Sequence, residues 1–131
     1  MEHSNLHERR RHPRYPTASL PVRVRKKGRF ATLDGMAADF NRHGMGLIID
    51  QPLPKDSVVF LTIADGCTRI KNVRGVVHNC CATPAGYRCG VQFRTDSPQQ
   101  FDGGTVSQQL LMLESRLVND LPSQWTHRLS G

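Results

Sequence analysis

The sequence predicts an all-β fold: an antiparallel barrel or sandwich of six short strands, followed by one helix. Three observations lead there. Six short apolar or β-branched runs are spaced roughly ten residues apart, the first and last with clear period-two alternation. Gly, Pro, Asp and Asn punctuate the gaps between these runs. The period changes to that of a helix only after Gly103-Gly104.

The elements follow in order. Leu20, Val22 and Val24 alternate with Pro21, Arg23 and Arg25, as in a strand with one buried face. Lys26-Lys27-Gly28 supplies a turn, and Phe30 to Phe40 forms a second extended run. Met45 to Ile49 is a compact apolar run closed by Asp50-Gln51-Pro52. Ser57 to Ala64 is β-branched and aromatic, with Asp65-Gly66 marking the turn after it. Ile70 to His78 carries Val73, Val76 and Val77 around Gly75, where a bulge is expected. Tyr87 to Arg94 alternates through Cys89, Val91 and Phe93.

Thr105-Val106-Ser107-Gln108 has the form of a capping box. Val106, Leu110, Leu113 and Leu117 then fall on one face of a helix about four turns long. Such a helix plugs the open end of a small barrel or covers an exposed strand edge. Binding of a partner helix is the alternative use of its apolar stripe. The last residues, Pro122 to Gly131, hold the only Trp and are expected to be weakly ordered.

Charge is distributed unevenly. The chain of 131 residues carries 18 Lys and Arg against 11 Asp and Glu, a net charge of +7. Nine of the basic groups lie in residues 1–30 (Arg9, Arg10, Arg11, Arg14, Arg23, Arg25, Lys26, Lys27, Arg29), against only Glu2 and Glu8. The remainder is neutral, so an anionic partner is expected at the N-terminal end. The preference for Arg favours phosphates and guanine edges, which a guanidinium fork matches.

Composition also excludes functions. No run of about 18 apolar residues occurs, so no membrane-spanning helix is expected. The first sixteen residues lack the apolar centre of a secretion signal, and a cytoplasmic location is expected. Cys67, Cys80, Cys81 and Cys89 do not have the spacing of a zinc site, even with His78 nearby, and read as free thiols packed on strands. Without a catalytic triad, metal set or phosphate-cradling GxxxxGK[ST] loop, a non-enzymatic protein without cofactor is expected.

Two motifs carry chemistry. Arg10-Arg11-His12-Pro13-Arg14 is an RxxxR spacing with Arg9 before it, and Pro13 and Pro16 keep it extended. Asp39-Phe40-Asn41-Arg42-His43-Gly44 follows the second strand run. Period two puts Asp39 and Asn41 on one face and Phe40 toward the core. Gly44 is expected to take a positive φ that turns the chain back into the Met45 run.

In this order and on this strand pattern, the two motifs resemble the PilZ domain, a bacterial receptor module for cyclic di-GMP. That family pairs RxxxR, ahead of a six-stranded β-barrel, with (D/N)xSxxG on the barrel. Arg10 and Arg14 match the first half, with Arg9 completing RRxxxR; Asp39 and Gly44 match the second. Asn41 stands where the family has serine and is expected to hold its ligand hydrogen bond with a lengthened or tilted geometry. The resemblance implies three parts: a flexible basic arm over residues 1–15, a PilZ barrel with C-terminal helix over 16–121, and a loose tail over 122–131.

It also implies cyclic di-GMP as ligand, bound by Arg9, Arg10, Arg14, Asp39, Asn41 and Gly44. Guanine N7 and O6 accept an arginine fork, and its N1–H and N2–H₂ edge donates to a carboxylate. Arg10 and Arg14 suit the Hoogsteen edge and the phosphates, Asp39 the donor edge, and Arg9 a base face or phosphate. An arm that wraps the ligand would be the switch. It would act on an unidentified downstream protein in motility, biofilm or virulence, with the receptor a monomer or weak homodimer. Two alternatives remain: an adaptor that has lost the nucleotide, and a small basic nucleic-acid-binding barrel. The second is disfavoured by only 6% aromatic residues.

Overall fold

The computed structural model describes residues 13–66, 68–95 and 103–119. Six strands, β1 (Tyr15–Lys26), β2 (Thr32–Asn41), β3 (Gly44–Ile49), β4 (Val58–Asp65), β5 (Thr68–Thr83) and β6 (Gly86–Phe93), precede the helix α1 (Gly103–Asn119). All neighbouring strands are antiparallel and close in the order β1-β2-β3-β6-β5-β4. The fold is a barrel and not a sandwich, and closure gives every strand a partner on both sides over part of its length.

Period-two alternation builds the interior. Val22 and Val24 of β1, Met45, Leu47 and Ile49 of β3, Val59, Leu61 and Ile63 of β4, and Cys89 and Val91 of β6 are all buried. Turns fall where glycine permits a left-handed backbone: φ is 81° at Gly28 and 62° at Gly66. β1 begins at Tyr15, so the last residue assigned to the arm is already strand. Residues 1–12 and 120–131, which hold most of the expected arm and the whole tail, lie outside the described residues, as does Cys67.

Three strands depart from a regular ladder, β1 between Pro16 and Leu20, β2 and β5, and the departure in β2 positions the side chains of the candidate site. Ala37 pairs with Leu47 and Asp39 with Gly46, so β2 spends two residues where β3 spends one. The extra residue switches the inward parity. Ala37 is buried before it and Phe40 after it, with the Phe40 ring 5.7 Å from that of Phe93. Asp39 is thereby turned to the outer face.

In β5 the expected bulge at Gly75 is not found. The ladder shifts opposite Leu61–Ile63, where Asn72 has φ 58°, and again between Val77 and Asn79. Gly75 stays in register, and a Cβ there would stand 2.6 Å from Val91 Cγ1. It is glycine because the barrel interior at that level is already filled.

Helix α1 starts at Gly103, two residues before the expected cap at Thr105. Val106, Leu110, Leu113 and Leu117 are buried, as their spacing predicts. The helix lies against β1, β2 and β5 and is pinned at two points. The Arg116 guanidinium forks onto Asp65, Nε to Oδ2 at 2.9 Å and Nη2 to Oδ1 at 2.5 Å. Glu114 accepts the Arg42 backbone N–H at 2.8 Å and its Nη2 at 3.1 Å. Asp65 ends β4 and Arg42 follows β2, so α1 covers the barrel end at which both turns lie.

Candidate functional site

Asp39 is the centre of the site, on the outer face near the end of β2. Its Oδ1 accepts the backbone N–H of Gly46 at 2.7 Å, which fixes the carboxylate against β3. Arg14 Nη1 reaches the same oxygen at 3.4 Å, and Arg88 Nη2 reaches Oδ2 at 2.5 Å. Arg14 and Asp39 are both largely screened from solvent, with side chains 15% and 16% exposed, whereas Arg88 is 44% exposed. One carboxylate thus collects two guanidinium groups from opposite sides, leaving local positive charge in excess.

The surface beside this cluster is paved with glycine. Asp39 pairs with Gly46, Gly46 with Gly90, and Gly90 with Asn79, giving one row across β2, β3, β6 and β5. Gly44 pairs with Gln92 in the adjoining row. The glycines are there for space. A Cβ on Gly46 would lie 2.8 Å from Asp39 Oδ1 and 3.0 Å from Arg88 Nη2. A Cβ on Gly90 would lie 3.0 Å from Asn79 Oδ1. The result is a glycine floor overlaid by the Asp39 carboxylate and the end of Arg88 at Gly46, and by the Asn79 amide at Gly90.

The turn after β2 is held by Asn41, which is only 3% exposed. Its Oδ1 accepts the N–H groups of His43 at 2.7 Å and Gly44 at 3.0 Å, and its Nδ2 donates to the Pro13 carbonyl at 3.1 Å. Asn41 therefore caps the turn and ties down the residues ahead of β1. Its neighbour Gly44 is not explained by backbone sign, because positive φ among the described glycines occurs at Gly28, Gly66 and Gly86. A Cβ on Gly44 would stand 2.4 Å from the Val91 carbonyl and 3.2 Å from Arg14 Nη2. Close approach of β6 and of the arginine demands glycine here.

Of the residues singled out from the sequence, the fold brings Arg14, Asp39, Asn41 and Gly44 together. Arg9 and Arg10 lie outside the described residues. Arg23 and Arg25, part of the same basic stretch, go elsewhere: Arg23 pairs with Asp34, and the Arg25 guanidinium lies 4.7 Å from the centre of the Phe60 ring. Arg88 was not singled out. Its outward place in the alternation of β6 was readable, but its meeting with Asp39 depends on β6 lying next to β3. Among the described residues, no helix is long and apolar enough to cross a membrane, and no three His, Cys, Asp or Glu side chains are grouped to hold a metal.

Comparison with known families matches the PilZ domain over residues 8–111. Among solved structures, YcgR from Escherichia coli in complex with c-di-GMP is similar over 94% of this chain at TM-score 0.66 and 17% identity. This chain spans about half, 51%, of that one. The separate PilZ domain of YcgR with c-di-GMP, also from Escherichia coli, aligns over 86% of this chain and 93% of its own at TM-score 0.60 and 16% identity. The PilZ domain of CeSA from a cellulose-synthesizing bacterium aligns over 79% and 99% at TM-score 0.58 and 19% identity. Comparison with curated proteins finds no match.

Proposed function

The chain belongs to the PilZ domain family, and on that premise we propose that it is a non-enzymatic receptor for cyclic di-GMP. One observation carries the reading: Arg14, ahead of the barrel, meets Asp39, on the barrel, at the edge of a glycine floor. These are the two halves of the motif pair, brought together from 25 residues apart.

Without ligand, the Asp39 carboxylate and the Arg14 guanidinium neutralise each other. The dinucleotide offers each a better-matched partner. A guanine N1–H and N2–H₂ edge donates to Asp39, and a phosphate or a guanine N7/O6 pair accepts from Arg14. Gly46 N–H keeps Asp39 in place during the exchange. Arg9 and Arg10 add contacts from the arm, and Asn41 acts indirectly by holding the Pro13 carbonyl, so that Arg14 starts next to the site. The ordered arm then presents an altered surface to a downstream protein.

A second reading has one observation in its favour. The Asp39 oxygens already accept from Arg14, Arg88 and Gly46, a self-satisfied arrangement that suits an adaptor without nucleotide.

Isothermal titration with cyclic di-GMP decides between them and gives the stoichiometry. Saturable binding is expected, with Arg10→Ala and Arg14→Ala each weakening it by about 2–4 kcal/mol. Absence of binding leaves the adaptor, and equal affinity in both variants overturns the assigned roles. A single-stranded oligonucleotide titrated in parallel tests the nucleic-acid alternative.

A further inference from the structure

Beneath the glycine floor, facing the opposite way, lie two thiols that the ligand site does not use. Cys80 of β5 and Cys89 of β6 are direct partners in the ladder, and their Sγ atoms are 2.9 Å apart. Opposed positions on antiparallel strands bring Cβ atoms to about 4.5–5.5 Å, close to the separation a disulfide spans. The shift in the ladder between Val77 and Asn79 sets the parity that turns Cys80 inward to meet Cys89.

The two thiols differ in access. Cys89 is fully buried, Cys80 is half-buried, and Cys81 beside it is exposed and faces outward. We infer that Cys80 and Cys89 form a redox-active dithiol, which exchanges with small disulfides of the glutathione class to close a cross-strand disulfide.

The asymmetry assigns the roles. Cys89 donates its S–H to the Cys80 sulfur, and Cys80 is the more accessible of the two. Burial, reinforced by Cys80, pushes the Cys89 thiol up to about 12, so Cys89 keeps its proton while Cys80 reacts. The Cys80 thiolate attacks one sulfur of glutathione disulfide. The Cys80–glutathione S–S bond forms, the glutathione S–S bond breaks, and the first glutathione leaves as a thiolate that takes a proton. Cys89 then attacks Cys80 Sγ, its proton passing to the second departing glutathione. Two protein thiols are oxidised and one glutathione disulfide is reduced to two thiols. The sulfurs have to close from 2.9 Å to about 2.05 Å, less than an ångström, without moving either strand by a residue.

The test is incubation of the reduced full chain with glutathione disulfide, followed by intact-mass and peptide mapping. The expected product has lost two hydrogens, carries no glutathione, and yields a linked Cys80–Cys89 peptide pair. Cys81→Ser should react like the parent. Cys89→Ala should stop at a Cys80–glutathione adduct, and Cys80→Ala should form no disulfide through Cys89. If Cys89→Ala does not fold, mapping of the parent chain still decides. A linkage through Cys67 or Cys81, or an adduct on Cys81 alone, overturns the proposal.

Discussion

Arg88 and Asp39, 49 residues apart in the chain, meet at 2.5 Å across an intervening strand. β3 lies between their strands, and the residue at the crossing is Gly46, whose missing side chain leaves the passage open. The contact thus depends on three elements that are far apart in sequence and adjacent only once the barrel has closed.

Arg88→Ala should weaken cyclic di-GMP binding about tenfold, because it removes a charge-assisted contact from a partly exposed site. Thermal stability should change little. Titration and a melting curve on one preparation check both. Unchanged affinity would mean that Arg88 only accompanies Asp39 and does not serve the ligand.

Gly44→Ala and Gly46→Ala should separate folding from binding. At Gly44 the added methyl meets the Val91 carbonyl, a backbone atom that cannot yield, and a loss of about 1–3 kcal/mol in urea unfolding is expected. At Gly46 the obstruction is the Asp39 carboxylate and the flexible end of Arg88. The main effect there should be lost affinity with a nearly unchanged unfolding midpoint. The reverse pattern would contradict the assignment of Gly46 to the floor.

Asn41→Ser should keep the turn, since a hydroxyl accepts from the same N–H groups, but it is too short to reach the Pro13 carbonyl. Trypsin should then cut faster after Arg14, and affinity for the ligand should fall modestly. Asn41→Leu leaves the buried Gly44 N–H and its neighbours without their acceptor and should cost about 2–4 kcal/mol of stability. Equal trypsin rates in Asn41→Ser and the parent would show that Pro13 is held by other contacts.

Stability should fall as pH rises from 9 to 12. Burial pushes the Cys89 thiol from 9.0 up to about 12, with the bond to Cys80 adding to the effect and the Leu53 backbone opposing it. In that window the unfolded chain has lost a proton that the folded chain retains. The unfolding free energy should therefore fall with rising pH through this window. The difference between the parent and Cys89→Ala in urea unfolding at successive pH values isolates it, and should shrink as pH rises.

Strand identity and the helix stripe were legible in the sequence, since they rest on local periodicity. Leu20 to Val24 and Tyr87 to Phe93 alternate as their burial requires, Met45 to Ile49 is apolar and almost wholly buried, and Leu110, Leu113 and Leu117 sit on the face that packs. Arg14, Asp39 and Gly44 were legible as a motif pair. The reason for Gly44 was not, because its tight neighbour is a carbonyl on β6, 47 residues away by number and adjacent only in the barrel.

The sequence by itself determined the number and kind of elements, the concentration of positive charge near one end and the motif pair proposed to bind the ligand. All of these are set within a few residues, by alternation, turn chemistry and composition. Only the tertiary structure decided that Ala38 is extra in the β2–β3 ladder and so turns Asp39 outward. It alone put Arg88 beside Asp39, assigned Asn41 to the turn and to Pro13, and set Cys80 against Cys89. These follow from strand order and register, and register comes from closing the whole barrel around one core, a condition that no single segment contains.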